Sequence, residues 1–176
     1  VGRVVYPIPE DIQREMRLTT WDEGCPVSIA NLSLVEAPYV RAGGPPATVE
    51  IGQIIVHRLV AHTVLDIFRE IAAANFPLHS MRRMEYFLGS DEASMERNNT
   101  SAFNCRPVTG SNNSWSKHAY GAAVDVNPFV NPYVNYGSEG GSVTVLPEGS
   151  APFLDRSLGA PGMITVGDPC YNAFVS

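Results

Sequence analysis

Along HRLVAHTVLDIFREIAAANF (57–76) apolar residues return at steps of three and four. Val60, Val64, Ile67, Phe68 and Ile71 therefore share one face, the pattern of a helix with one side in a core. Pro77 stops it, because proline cannot continue a helix. A shorter helix is predicted over PEDIQREM (9–16), with Pro9 and Glu10 in its first turn. GQIIVH (52–57) has strand character. APYVRAGGPPATVE (37–50) is rich in turn formers and reads as a connection between short strands.

From Gly89 to Ser116 the pattern dissolves into GSDEASMERNNTSAFNCRPVTGSNNSWS. A loop of this length in a compact domain is functional or disordered. AFNCR (102–106) has enough apolar content to enter a core, which favours an ordered, folded-back loop. AYGAAVDV (119–126) reads as a buried strand of small residues, left through Asn-Pro turns in NPFVNPYVNYGSEGG. DPCYNAFVS (168–176) starts a helix, with Asp168 as N-cap and Pro169 at the first helical position. These elements predict an α+β fold: a small antiparallel sheet with helices packed on one face, helix 57–76 chief among them.

A length of 176 residues suits one domain with a real core. Hydrophobic residues make up 44% and charged residues 17%, a globular balance. The net charge of −6 argues against nucleic acid, whose phosphates need clustered Lys and Arg. No apolar run approaches the roughly 20 residues of a membrane span. The chain starts at Val1 with no leader, as a processed product or trimmed chain would. The cysteines are Cys25, Cys105 and Cys170. One bridge plus a free thiol and three buried thiols both remain open. NNTS (98–101) and NNS (112–114) match glycosylation sequons, a motif common by chance.

SWSKHAYGAAVDVNP (114–128) carries the candidate chemistry. His118 and Asp125 flank a turn at Gly121, where only glycine moves freely. Ala122 and Ala123 keep the space between them small. A catalytic zinc takes three protein ligands and an open position, so such a pair supplies part of a site. The bland alternative is a satisfied histidine beside a turn aspartate. His57 and His62, five apart, point in different directions. His79 is a further polar candidate.

Ser116, His118, Gly121, Ala123 and Asp125 together read S-x-H-x-x-G-x-A-x-D. This resembles the zinc signature of the D-alanyl-D-alanine carboxypeptidases, the bacterial wall peptidases that include L-alanyl-D-glutamate endopeptidases. NNTSAFNCR (98–106), NPYV (131–134) and PGMI (161–164) follow in the order of an extracellular branch, and GCPV (24–27) and FPLHSMRRM (76–84) are also similar to it. The resemblance implies a zinc peptidase (hedgehog/D,D-peptidase-like) architecture as one domain over 1–176. It makes His118 and Asp125 zinc ligands, lines the cleft with Ser116, and gives Arg106 the substrate carboxylate or the oxyanion. Asn104 and Asn127 would order the site, and Asp91 would order its loop. The pair Cys25 and Cys105 is the first choice for a disulfide, which a Cα separation beyond about 7 Å would exclude.

The implied function is zinc-dependent hydrolysis of peptide bonds involving D-amino acids in peptidoglycan stem peptides, by a secreted or wall-associated bacterial monomer. The sequence departs from the family in one respect. The family's later block, with a carboxylate general base and a third histidine ligand, is not found. A chain cut short at its C-terminus, a non-catalytic peptide-binding relative, and His79 as third ligand are the competing expectations. A structural domain in which His118 merely bonds Asp125 is the remaining rival.

Overall fold

The structure is a computed structural model that describes residues 2–45, 48–109, 111, 113–137 and 141–176. Its centre is an antiparallel ladder between β2 (Leu32–Arg41) and β3 (Val49–His57), in register from Leu32 opposite His57 to Val40 opposite Val49. β1 (Arg3–Val5) and β4 (Pro77–Leu78) share the other edge of β2, β1 antiparallel and β4 parallel. The stretch 37–50 is therefore no connection between short strands. Residues 37–41 complete a ten-residue strand. Pro46 and Ala47, at the centre of that stretch, lie outside the described residues.

Both faces of this sheet are covered, a correction to the one-sided packing expected. Side chains alternate along a strand. Val35, Ala37, Ile54 and Val56 face one core, with Val64, Leu65, Phe68 and Ile71 of α2 (Ala61–Ala73). Leu32, Leu34 and Ile55 face the other core, with Ile12 and Met16 of α1 (Glu10–Thr19) and with Trp21. α1 begins one residue after Pro9 and runs three residues beyond Met16.

α2 starts later than its apolar period suggests. His57 still belongs to β3, and the Val60 amide closes a turn on the His57 carbonyl at 3.0 Å. α4 (Pro169–Val175) is capped as expected, Asp168 Oδ1 accepting from the Tyr171 amide at 2.8 Å. Its Cys170 and Ala173 bury against α2, and Phe174 meets Phe68 edge to face at 6.3 Å.

The segment after Gly89 is ordered. It forms α3 (Asp91–Glu96), then β6 (Asn99–Thr100), which pairs in parallel with β5 (Ser80–Met81). Ala102, Phe103 and Asn104 are buried, so AFNCR does enter the core. Asn98 and Asn99 are buried and hydrogen-bonded, which leaves no acceptor for a glycan at the first sequon motif. Asn112 lies outside the described residues. β7 (Tyr133–Asn135) and β8 (Thr144–Leu146) form a separate hairpin.

Cys25 and Cys105 form a disulfide, with a Cα separation of 6.0 Å. Cys170 is free and fully buried. Burial, helped by the charge of Asp168, pushes its thiol up to about 12. The thiolate is the reactive form, so the native protein should be silent to Ellman's reagent. One thiol per chain should react after unfolding without reductant. Rapid labelling of the native chain would contradict the burial.

Candidate functional site

His118 sits in a single 3₁₀ turn, Lys117–Tyr120, and not on a strand. The buried strand expected over 119–126 is therefore corrected. Only Asp125 of that stretch makes a bridge, with Ser101: each amide reaches the other's carbonyl, at 2.9 and 3.0 Å. Ser116 caps the turn, its Oγ accepting from the His118 amide at 3.3 Å, and its own amide donates to the Arg106 carbonyl at 3.1 Å. Gly121 closes it with φ of 65°.

Two constraints meet at Gly121. A Cβ there would stand 2.5 Å from the His57 nitrogen and 3.0 Å from the Val56 carbonyl carbon, because the Gly121 carbonyl accepts from the His57 amide at 2.8 Å. A left-handed backbone also disfavours any side chain. Gly121→Ala should lower stability by about 1–3 kcal/mol, the usual scale for such strain. Urea denaturation would show it as a lower midpoint, and an unchanged midpoint would contradict this account of the turn.

The His118 ring is fixed from behind. Nδ1 lies 2.7 Å from the Ala102 carbonyl, so in the neutral ring Nδ1 holds the proton and Nε2 keeps its lone pair. Nε2 lies 3.3 Å from Asp125 Oδ2, whose side chain is 40% exposed towards the cleft. Burial pushes the imidazole towards its neutral form. The hydrogen bond and charge of Asp125, with the Ala102 carbonyl, outweigh burial and raise the pKa above its ordinary value.

The pair suits a shared ion. Two donors about 2.0–2.2 Å from a tetrahedral zinc stand roughly 3.3–3.5 Å apart. The observed 3.3 Å separation meets that edge. His118 and Asp125 thus fit as two ligands. Among the described residues, no group of three or more His, Cys, Asp and Glu side chains converges. The expectation that His79 is the third ligand is corrected. Its amide donates to Asn127 Oδ1 at 3.0 Å and its ring faces the Pro161 carbonyl at 3.3 Å.

Arg106 follows Cys105 directly and is half-buried beside the pair, forming an ion pair through Nε with Asp91 Oδ2. Nε is buried, and this ion pair is its contact among the described residues. Asn104 Nδ2 donates to Asp91 Oδ1 and to the Gly89 carbonyl, both at 2.9 Å. Asn127, buried with φ of 44°, donates to the Pro77 and Gly162 carbonyls at 3.0 and 3.1 Å. It ties the chain just past Asp125 to β4 and to the PGMI turn. Ser116, Arg106, His118 and Asp125 line one cleft of about 900 Å³ with Asp91. Its other wall is apolar, with Val124, Ile164 and Phe174.

Two members of this arrangement escaped the sequence reading: Asp91 as the partner of Arg106, and the Ala102 carbonyl as the support of His118. Neither has a sequence signal, since a carbonyl leaves no trace in residue identity and Asp91 precedes Arg106 by a helix and a strand.

A histidine and a carboxylate 3.3 Å apart thus share one cleft with an arginine. Residues 109–176 match the family model described as D-alanyl-D-alanine carboxypeptidase, the family that the signature around His118 resembles. No curated protein and no solved structure matches the chain. No helix among the described residues is long and apolar enough to cross a membrane.

Proposed function

We propose that the chain is the zinc-dependent peptidase domain its signature resembles, acting on peptide bonds that involve D-amino acids in peptidoglycan stem peptides, as a D,D-carboxypeptidase or a related endopeptidase. The observation that carries the reading is the His118 Nε2 to Asp125 Oδ2 spacing of 3.3 Å, with Nδ1 engaged by Ala102. The disulfide supports a secreted or wall-associated location, because such bridges persist in oxidising compartments.

His118 and Asp125 would hold the metal. A bound zinc polarises a carbonyl and lowers the pKa of its water towards neutrality. The protein's own residues then have distinct tasks. Ala102 keeps the Nε2 lone pair facing the cleft. Arg106 offers a planar, permanently charged fork, which matches the carboxylate of a peptide C-terminus or an oxyanion. Ser116 fixes the backbone of Arg106 and His118 relative to each other and presents a polar edge to the peptide. The apolar wall of Val124, Ile164 and Phe174 excludes water from one side of the bound chain.

Zinc uptake by the purified chain, followed by hydrolysis of a D-alanyl-D-alanine peptide, tests the reading. Uptake together with cleavage supports it. Uptake with peptide binding but no cleavage would turn it into a binding module. No uptake would leave His118 and Asp125 as a structural hydrogen bond.

A further inference from the structure

Asp91 stands outside the signature, at the first position of α3, yet its carboxylate lies in the cleft wall. Oδ1 accepts from Asn104, and Oδ2 pairs with Arg106 Nε. The backbone of Arg106 is already fixed. Cys105 is bridged to Cys25, its amide donates to the Thr20 carbonyl at 3.0 Å, and the Arg106 carbonyl accepts from Ser116 at 3.1 Å. What remains free is the long side chain, with its several rotatable bonds.

Asp91 removes that freedom at one end of the guanidinium. Among the described residues, Nη1 meets only the Pro107 carbonyl, at 3.2 Å, and Nη2 meets no acceptor. The Nε side is taken, and the outer Nη edge is left for a ligand. We propose that Asp91 is a positioning residue: it grips Arg106 at Nε, so that a peptide carboxylate in the cleft is met end-on by Nη1 and Nη2. This rests on the reading of the cleft as a site for a peptide with a free C-terminal carboxylate. It makes carboxylate selectivity depend on an acid that itself never touches the peptide.

The test compares the metal-free full chain with Asp91→Ala, Asp91→Asn and Ser90→Ala. Calorimetry measures affinity for N-acetyl-D-alanyl-D-alanine and for its C-terminal amide. The wild-type chain should prefer the acid, and Asp91→Ala should cut that preference about tenfold or more, towards parity. Asp91→Asn, which keeps an acceptor without the charge, should fall between. Ser90→Ala removes the cap of α3, where Ser90 Oγ accepts from the Ala93 amide at 3.2 Å. It should lower stability and leave the preference intact, which a merely structural role for Asp91 would not separate. An unchanged preference in Asp91→Ala overturns the proposal. The Arg106 Nε–H resonance distinguishes the failures. If its chemical shift differs between the wild type and Asp91→Ala, but the wild type does not prefer the acid, the peptide reading has failed. If it is indifferent to Asp91, the grip itself is refuted.

Discussion

Replacing His118 with alanine is expected to remove zinc binding from the chain. Among the described residues the ring supplies one of two converging donors, and Asp125 alone is an exposed carboxylate with no geometric claim on the ion. Loss of an outer partner of a ligand usually costs about 10–100-fold in metal affinity. Loss of the ligand itself should exceed that. Asp125→Asn should follow the same direction, because zinc prefers the anionic oxygen. Competition titration with a chromogenic chelator measures both. Wild-type affinity in His118→Ala would show that the ion sits elsewhere.

The same residue gives two opposite pH dependences. In the metal-free chain, the folded pKa of His118 is raised above the ordinary value near 6.5. Its pairing with Asp125 then adds stability fully below the unfolded value, and the contribution disappears as pH rises through the folded one. Zinc needs the unprotonated Nε2, so metal affinity must fall as pH drops through that raised pKa. Melting curves with and without zinc should therefore diverge on the alkaline side and converge on the acid side. His118→Ala should abolish the divergence.

Breaking the Cys25–Cys105 bridge is the second large effect. The disulfide closes a loop of 80 residues. Chain-entropy arguments give about 4.5 kcal/mol for a loop of that length, and measured losses are commonly about 2–5 kcal/mol. That is a large share of a typical domain stability of about 5–15 kcal/mol. The loss should not be confined to stability. Cys105 anchors the segment from which Arg106 reaches the cleft and Asn104 reaches Asp91. The double variant Cys25→Ser, Cys105→Ser should show a lower urea midpoint and a weaker preference for a carboxylate-bearing peptide. A midpoint within error of the wild type would contradict the role assigned to the bridge.

Features dominated by local chemistry were legible in the sequence. Asp168 and Pro169 announce the start of α4 because capping needs only a side chain and the next turn. The buried face of α2 follows from a period of 3.6 residues. The helix boundary did not follow. His57 and Arg58 are spent on finishing β3 and turning the chain, a tertiary demand that the apolar period cannot express. The second core was equally hidden. Leu34 and Val35 are adjacent apolar residues on opposite faces, and such a run reads the same whether one face or both are covered.

The site divides along the same line. The signature residues His118 and Gly121 lie in one 3₁₀ turn, and Asp125, four residues past Gly121 and bridged to Ser101, meets the histidine from the next segment. Small residues at 119–126 suggested a strand, but the left-handed Gly121 ends any regular ladder before it begins. Asp91 pairs with Arg106 only because α3 and β6 fold back between them, which no local pattern records.

The most direct test is a zinc titration followed through the histidine ring nitrogens by long-range ¹H–¹⁵N correlation. The chain has four histidines, His57, His62, His79 and His118. The predicted result is a shift of Nε2 in His118 alone, with its Nδ1 staying protonated against Ala102. A shift at His79, or an unmoved His118 while zinc is bound, would contradict the central claim.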